Sequence, residues 1–242
     1  MTGLSMKRNE QTISVIIPVL NEEATIGSLI SHLRTHSLKT NISEILVIDG
    51  GSCDNTIAIA TQQKVTVLSS KKGRPIQMNL GAKHAKGSIL YFLHADTLPP
   101  KSFDEHIIKA IEKGHDSGCF RMRFDTNNVL LKFFASLTKI NHRVCRGGDQ
   151  SLYVKSTLFK QMKGFNEAYL IYEDSEFIRR LYQITNFTVL PQRVVTSARK
   201  YRRNGTLRLQ YHFGMIHLKN LLGAGPEELC NYYKKHILEQ TQ

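Results

Sequence analysis

The stretch Ile13-Ser14-Val15-Ile16-Ile17-Pro18-Val19-Leu20-Asn21-Glu22 decides the fold. Its opening residues form a short β-branched apolar run stopped by proline, the pattern of a strand buried on both faces. Asn21 then reads as a helix N-cap, with Glu22 and Glu23 in the first turn and Ile26, Leu29, Ile30 and Leu33 at helical spacing. Strand, loop and helix follow one another directly.

The same succession recurs downstream. Glu44-Ile45-Leu46-Val47-Ile48-Asp49 is a second apolar strand, Gly50-Gly51-Ser52 turns the chain, and Asp54-Asn55-Thr56 opens a helix containing Ile57, Ala58 and Ala60. Val65 to Leu68 makes a third strand and Gly73 to Ala85 a helix. Ser88 to Leu93 makes a fourth strand that runs into His94-Ala95-Asp96. This alternation predicts an α/β fold, Rossmann-like, with a mainly parallel central sheet and helices on both faces. Ligands of such sheets bind outside the carboxyl ends of the strands, which sends Pro18 to Glu22, Asp49 to Ser52 and His94 to Asp96 to one crevice. The second half is less regular. Gly118 to Phe124 and Gln150 to Val154 read as strands. Val129 to Ile140, Glu173 to Leu181, Thr206 to Leu222 and Pro226 to Leu238 read as helices.

With 242 residues, 41% of them hydrophobic, one full core is within reach, and a single domain is expected. The polar N-terminal stretch Met1 to Thr12 lacks the apolar run of a secretory signal. No later run approaches the roughly 18 to 20 apolar residues of a membrane span, so a cytoplasmic location is expected. Four cysteines without a C-x-x-C pair fit neither a zinc knuckle nor a disulfide framework and are read as reduced. The formal charge of +13 attracts phosphates, nucleic acid or anionic lipid without choosing among them. The basic clusters Arg199 to Arg203 and Lys234-Lys235 read equally well as a solvated helix face. A chain without Trp is poorly equipped for the stacking surfaces of nucleic-acid binders, and no nucleic-acid partner is expected.

Several residues carry chemistry. Asp49 ends an apolar strand, where an unpaired acid is costly, so it either faces a ligand or caps the turn that follows. No G-x-G-x-x-G or P-loop follows the first strand, so phosphates need a metal or arginines. His94 and Asp96 are alternate residues of extended chain and point the same way, as if to share one ion. Arg74 and the cluster Arg199, Arg202 and Arg203 offer charge-assisted bonds to a diphosphate. Glu173-Asp174 puts two acids where a loop enters a helix, as a favourable charge at its N-terminus or as a general base with a raised pKa.

In order and spacing these motifs resemble glycosyltransferase family 2, the inverting, nucleotide-sugar-dependent enzymes of the GT-A fold. The matching residues are Ser14 to Glu22, Glu44 to Ser52 with Asp54 and Thr56, Asn79-Leu80-Gly81-Ala82, Phe92 to Asp96, Gly164-Phe165-Asn166-Glu167 and Glu173-Asp174. Gly73 to Asn79, His94 to Thr97, Gly148-Asp149-Gln150 and Thr196 to Arg199 are similar to the branch described as radical-SAM/selenodomain-associated glycosyltransferases. The resemblance implies a division of the single GT-A domain, residues 1–242. Residues 13–100 form a nucleotide-binding half, 101–200 an acceptor and catalytic half, and 201–242 a helical C-terminal extension.

By this resemblance Pro18, Leu20 and Glu22 border the nucleoside of a nucleoside-diphosphate sugar donor, together with Arg74 and Ala95, and Asp49 binds its base or ribose. Asp96 matches the last acid of the family's D-x-D and holds Mn²⁺ or Mg²⁺ on the diphosphate, beside Arg199 and Arg202. Asp174 is the base, and Gly148, Asp149, Gln150 and Glu173 hold the acceptor or donor sugar. One departure is plain: His94 stands where the family has an acid, and imidazole is a poor ligand for Mg²⁺.

Two other readings are weighed. A nucleotidyltransferase would carry a Gly-rich basic loop where this chain has Val19-Leu20-Asn21-Glu22-Glu23, and a non-catalytic sugar-nucleotide-binding protein leaves Asp49, Asp96 and Asp174 together unexplained. The apolar helix Val129 to Leu137 has three fates. It can pack on the sheet, form a homodimer interface, or make a peripheral contact at the inner face of the membrane with a lipid-linked acceptor.

Overall fold

The computed structural model describes residues 11–238. Met1 to Glu10 of the polar N-terminal stretch and the last four residues of the C-terminal extension lie outside the described residues. One mixed eight-stranded sheet runs through the molecule. The strands are β1 (Ile13–Val19), β2 (Ile42–Asp49), β3 (Thr66–Ser69), β4 (Ile89–Phe92), β5 (Thr97–Leu98), β6 (Ser117–Phe124), β7 (Leu152–Lys155) and β8 (Thr188–Thr196), in the order β3-β2-β1-β4-β7-β6-β8-β5. The half made by β3, β2, β1 and β4 is parallel throughout. Beyond it β7 runs antiparallel to β4 and β6, while β6 and β8 are parallel. The sequence reading located neither β5 nor β8. The first is two residues long, and the second carries Pro191, Gln192 and Arg193 inside it, which breaks the apolar pattern that marks a strand.

The apolar run of β1 is continuous because both faces are covered. Ile13, Val15, Ile17 and Val19 enter a core with α1 (Ile26–Thr35), α2 (Thr56–Gln62) and α4 (Phe103–Glu112), whereas Ile16 points to the opposite core. That second core is closed by α3 (Arg74–His84), α6 (Ser156–Gln161) and α7 (Glu173–Ile184), through Met78, Phe159, Phe177 and Leu181. Gly81 permits the approach of α3, since a Cβ there would stand 2.5 Å from Ile16 Cγ2.

A third cluster joins α5 (Val129–Leu137) to the C-terminal helices α8 (Arg199–Asn204), α9 (Thr206–Leu221) and α10 (Pro226–Tyr233), by Leu131, Tyr201, Leu209 and Leu229. The apolar helix therefore packs by Leu131 and Ala135 and leaves Val129 80% and Phe133 57% exposed. Among the described residues no helix is long and apolar enough to cross a membrane.

Asn21 is not the N-cap. Its φ of 56° is left-handed, its Oδ1 accepts from Cys53 N and its own N–H donates to Ser52 Oγ, so it ties the loops after β1 and β2 together. The Glu22 carbonyl accepts from the amides of Thr25 and Ile26, and α1 begins only there.

Candidate active site

A cleft of about 900 Å³ opens at the carboxyl ends of β1 and β4, under the C-terminal helices. Pro18, Leu20, Glu22, Arg74, His94, Ala95, Asp96, Asp149 and Arg199 all line it. The tertiary fold thus gathers residues from both ends of the chain. Its frame is polar as well as apolar: the Gln77 amide on α3 donates to the carbonyls of Val19 and Ile48, which fixes the ends of β1 and β2 against each other.

The charges are interleaved. Arg199 reaches Glu22 in a close ion pair and lies 3.4 Å from Asp96 Oδ2, so one guanidinium bridges acids from the loops after β1 and β4. Burial raises the pKa of Asp96, helped by neighbouring Asp149 and Glu22 against His94 and Arg199. His94 has Nδ1 3.7 Å from Asp149 Oδ1 and Nε2 3.8 Å from Asp174 Oδ2. Its burial disfavours the cation, but the nearby Asp149 carboxylate, backed by the field of Asp174, outweighs burial and the repulsion of Arg74, and its pKa is raised. Asp149 responds in the opposite sense. Desolvation alone would raise it, and His94, Lys200 and Arg74 instead hold it below the usual range.

Behind this wall stands the start of α7. Tyr172 precedes it with φ 69°, a conformation that a bulky residue rarely adopts, and its hydroxyl meets His217 Nδ1 of α9 at 3.0 Å. Glu173 and Asp174 at this turn do not line the cleft themselves but stand directly behind Arg74 and His94, which do. Glu173 is fully buried, its Oε1 2.8 Å from Arg74 Nε at an angle that leaves both carboxylate oxygens without a hydrogen bond. Burial, with Asp174 beside it, raises its pKa to about 7 in spite of Arg74. Gly148 sits against Asp174 and His94: a Cβ there would stand 2.0 Å from Asp174 Oδ2 and 2.8 Å from His94 Cε1.

Three expected residues lie apart from this wall. Both oxygens of Asp49 accept from backbone amides of the Gly51-Ser52 turn, so its carboxylate clamps the loop. Gln150 is buried, its Nε2 donating to the Cys145 carbonyl and its Oε1 accepting from Arg146. Arg202 turns to Asp125 at 3.2 Å. Arg203, one of the arginines offered for the diphosphate, also lines the cleft, together with Lys200 and Tyr233, which sequence reasoning overlooked. Lys200 stood in a cluster equally readable as solvated, and Tyr233 arrives from α10 only through tertiary packing.

His94 and Asp96 both line the cleft, with both nitrogens of His94 facing carboxylates and Asp96 beside Arg199. Among the described residues no three His, Cys, Asp or Glu side chains form a metal cage. Asp96 nonetheless fits a cation of the Mg²⁺ or Mn²⁺ type, which takes one or two carboxylates and completes its shell with substrate phosphates and water.

The sequence profile of the family described as Glycosyl transferase family 2 matches residues 14–173. The chain is 30% identical over 106 residues to Glycosyltransferase AglE of Haloferax volcanii, a match covering 41% of this chain and 35% of AglE. The chain therefore spans about a third of that curated relative's length. Among solved structures, S. aureus TarS 1-349 in complex with UDP superposes with a TM-score of 0.62 at 23% identity, covering 77% of this chain and 60% of that one. Mannosyltransferase PcManGT from Pyrobaculum calidifontis, in complex with GDP-Man and Mn²⁺, superposes with a TM-score of 0.67 at 17% identity, covering 91% and 69%. The sheet and its helices are those of the GT-A fold.

Proposed function

Because the chain belongs to glycosyl transferase family 2, we propose that it moves a sugar from a nucleoside-diphosphate sugar to an acceptor hydroxyl, with inversion at the anomeric carbon. The observation that carries this reading is the convergence of Asp96, Asp149 and Asp174 with Arg74, His94 and Arg199 at the carboxyl ends of the parallel strands. The names of TarS and PcManGT complexes, with UDP and with GDP-Man and Mn²⁺, support a donor of this class.

In this reading Pro18, Leu20 and Glu22 border the nucleoside, on a loop that Asp49 and Gln77 hold in shape. Arg199, with Lys200 and Arg203 beside it, receives the diphosphate. Asp96 anchors a divalent cation, which when bound would neutralise charge on the leaving diphosphate. Asp174 takes the acceptor's proton as the new C–O bond forms, and the electron pair of the breaking anomeric C–O bond leaves with the diphosphate. Gly148 and Asp149 border the transferred sugar. Glu173, tied to Arg74, supports the turn that aims Asp174.

Calorimetric titration with a panel of nucleoside diphosphates, with and without Mn²⁺, followed by donor hydrolysis, tests the proposal. One diphosphate should bind, its sugar derivative should be turned over, and Asp174→Asn should lower turnover about 10²- to 10⁴-fold with donor affinity retained. Absence of diphosphate binding, or full turnover in Asp174→Asn, overturns it.

A further inference from the structure

A second groove, of about 970 Å³, opens between the carboxyl half of β6, β8 and α5. Arg121 and Arg123 of β6, Arg193 of β8, Lys132 of α5 and Lys139 just beyond it line its walls, against one carboxylate, Asp125. That carboxylate is already engaged, by the Ala198 amide at 2.6 Å and by Arg202 at 3.2 Å. Lys132 reaches Asn127 Oδ1. Among the described residues, the side chains of Arg121, Arg123, Arg193 and Lys139 make no hydrogen bond or ion pair, and Nε of Arg121 is buried without an acceptor.

The strand register makes this crowding specific. β6 and β8 pair in parallel from Gly118↔Thr188 to Phe120↔Leu190, and the register then shifts so that Arg121 pairs with Arg193, with Pro191 and Gln192 as the extra residues. The irregularity makes Arg121 and Arg193 register partners on neighbouring strands, a pairing of like charges that does not favour a sheet. Packing does not call for the cluster, because the intervening Met122 and Val194 are the residues that fill the core. Forked guanidinium donors with no internal acceptor match the oxygens and the multiple charge of a phosphate better than a single carboxylate.

We propose that this groove binds a phosphate group on a ligand other than the sugar donor, carried by a soluble ester or by a phospholipid headgroup. The groove is separated from the donor cleft by the Asp125–Ala198 contact, one residue before Arg199. Exposed Val129 and Phe133 stand on the same helix as Lys132, an apolar flank that a headgroup's membrane would meet.

Phenylglyoxal modification of arginines in the full chain, read residue by residue by mass spectrometry, tests this site independently of the donor cleft. Inorganic phosphate at constant ionic strength, or vesicles containing phosphatidic acid in place of phosphatidylcholine, should slow modification of Arg121 and Arg193 about tenfold, as expected when a site is ~90% filled. Protection by soluble phosphate assigns a free ester; protection by the vesicles alone assigns a headgroup. Protection should persist in Arg199→Ala, whose donor binding reports on the family reading separately. Arg193→Glu should abolish protection of Arg121 while melting no lower than the parent, since it replaces a like-charge pair by an opposite one. Lack of protection in both arms, or protection of Arg121 that survives in folded Arg193→Glu, overturns the proposal.

Discussion

Nε2 of His94 faces Oδ2 of Asp174 at 3.8 Å, while the other nitrogen of the same ring faces Asp149. The ring between two acids spaces them and holds the carboxylate read here as the base. His94→Asp would restore the acid of the family's motif but set a third carboxylate against Asp149 and Asp174. We expect donor hydrolysis to fall about tenfold or more, because small displacements of a reacting group cost up to ~10²-fold. Turnover and Mn²⁺ affinity that both rise in the variant would show instead that position 94 serves the metal.

Gly148→Ala is expected to separate catalysis from folding. The added Cβ would overlap Asp174 Oδ2 and crowd His94. Turnover should drop about 10²-fold with the melting temperature nearly unchanged. Melting lowered in step with activity would mean that the residue serves the fold alone.

Arg199→Ala should loosen one partner and free another. Without nucleotide, Asp96 loses its neighbouring cation and should bind Mn²⁺ more tightly by a few-fold, about 5-fold at most for a half-exposed pair. Diphosphate affinity should fall in the same variant. Calorimetry showing both affinities unchanged would remove Arg199 from the site.

Glu173 links stability to pH. Its folded-state pKa lies above the unfolded value of 4.5, near 7, so in that window the folded chain holds the proton that the unfolded chain has released. Stability therefore falls as pH rises through the window, by at most about 1.4 kcal/mol per pH unit from this group, and is fullest below it. Urea unfolding between pH 4.5 and 7 should show a flatter profile for Glu173→Gln than for the parent. Parallel profiles would mean that Glu173 ionises normally.

The alternating strands and helices of the first half were legible because each apolar run buries both faces of a parallel strand, and burial of that kind writes itself as continuous Ile, Val and Leu. The loops after β1, β2 and β4 followed from the same rule, which sends Pro18, Glu22, His94 and Asp96 to the one end of the sheet where they line the cleft. Local pattern carried no such signal for β8, whose Pro191 and Arg193 sit in an irregular stretch tolerated only because β6 holds one side. Which atoms the acids touch was likewise undetermined by order along the chain. Asp49 clamps a turn and Asp174 meets His94 because long-range packing, through Tyr172 against His217 and Gly148 against Asp174, sets side-chain distances that spacing in sequence does not encode. The sequence by itself determined the layers and the end of the sheet where charge would gather. Tertiary structure decided which charge neutralises which, since Coulomb and hydrogen-bond energies turn on ångströms between residues as far apart as Glu22 and Arg199.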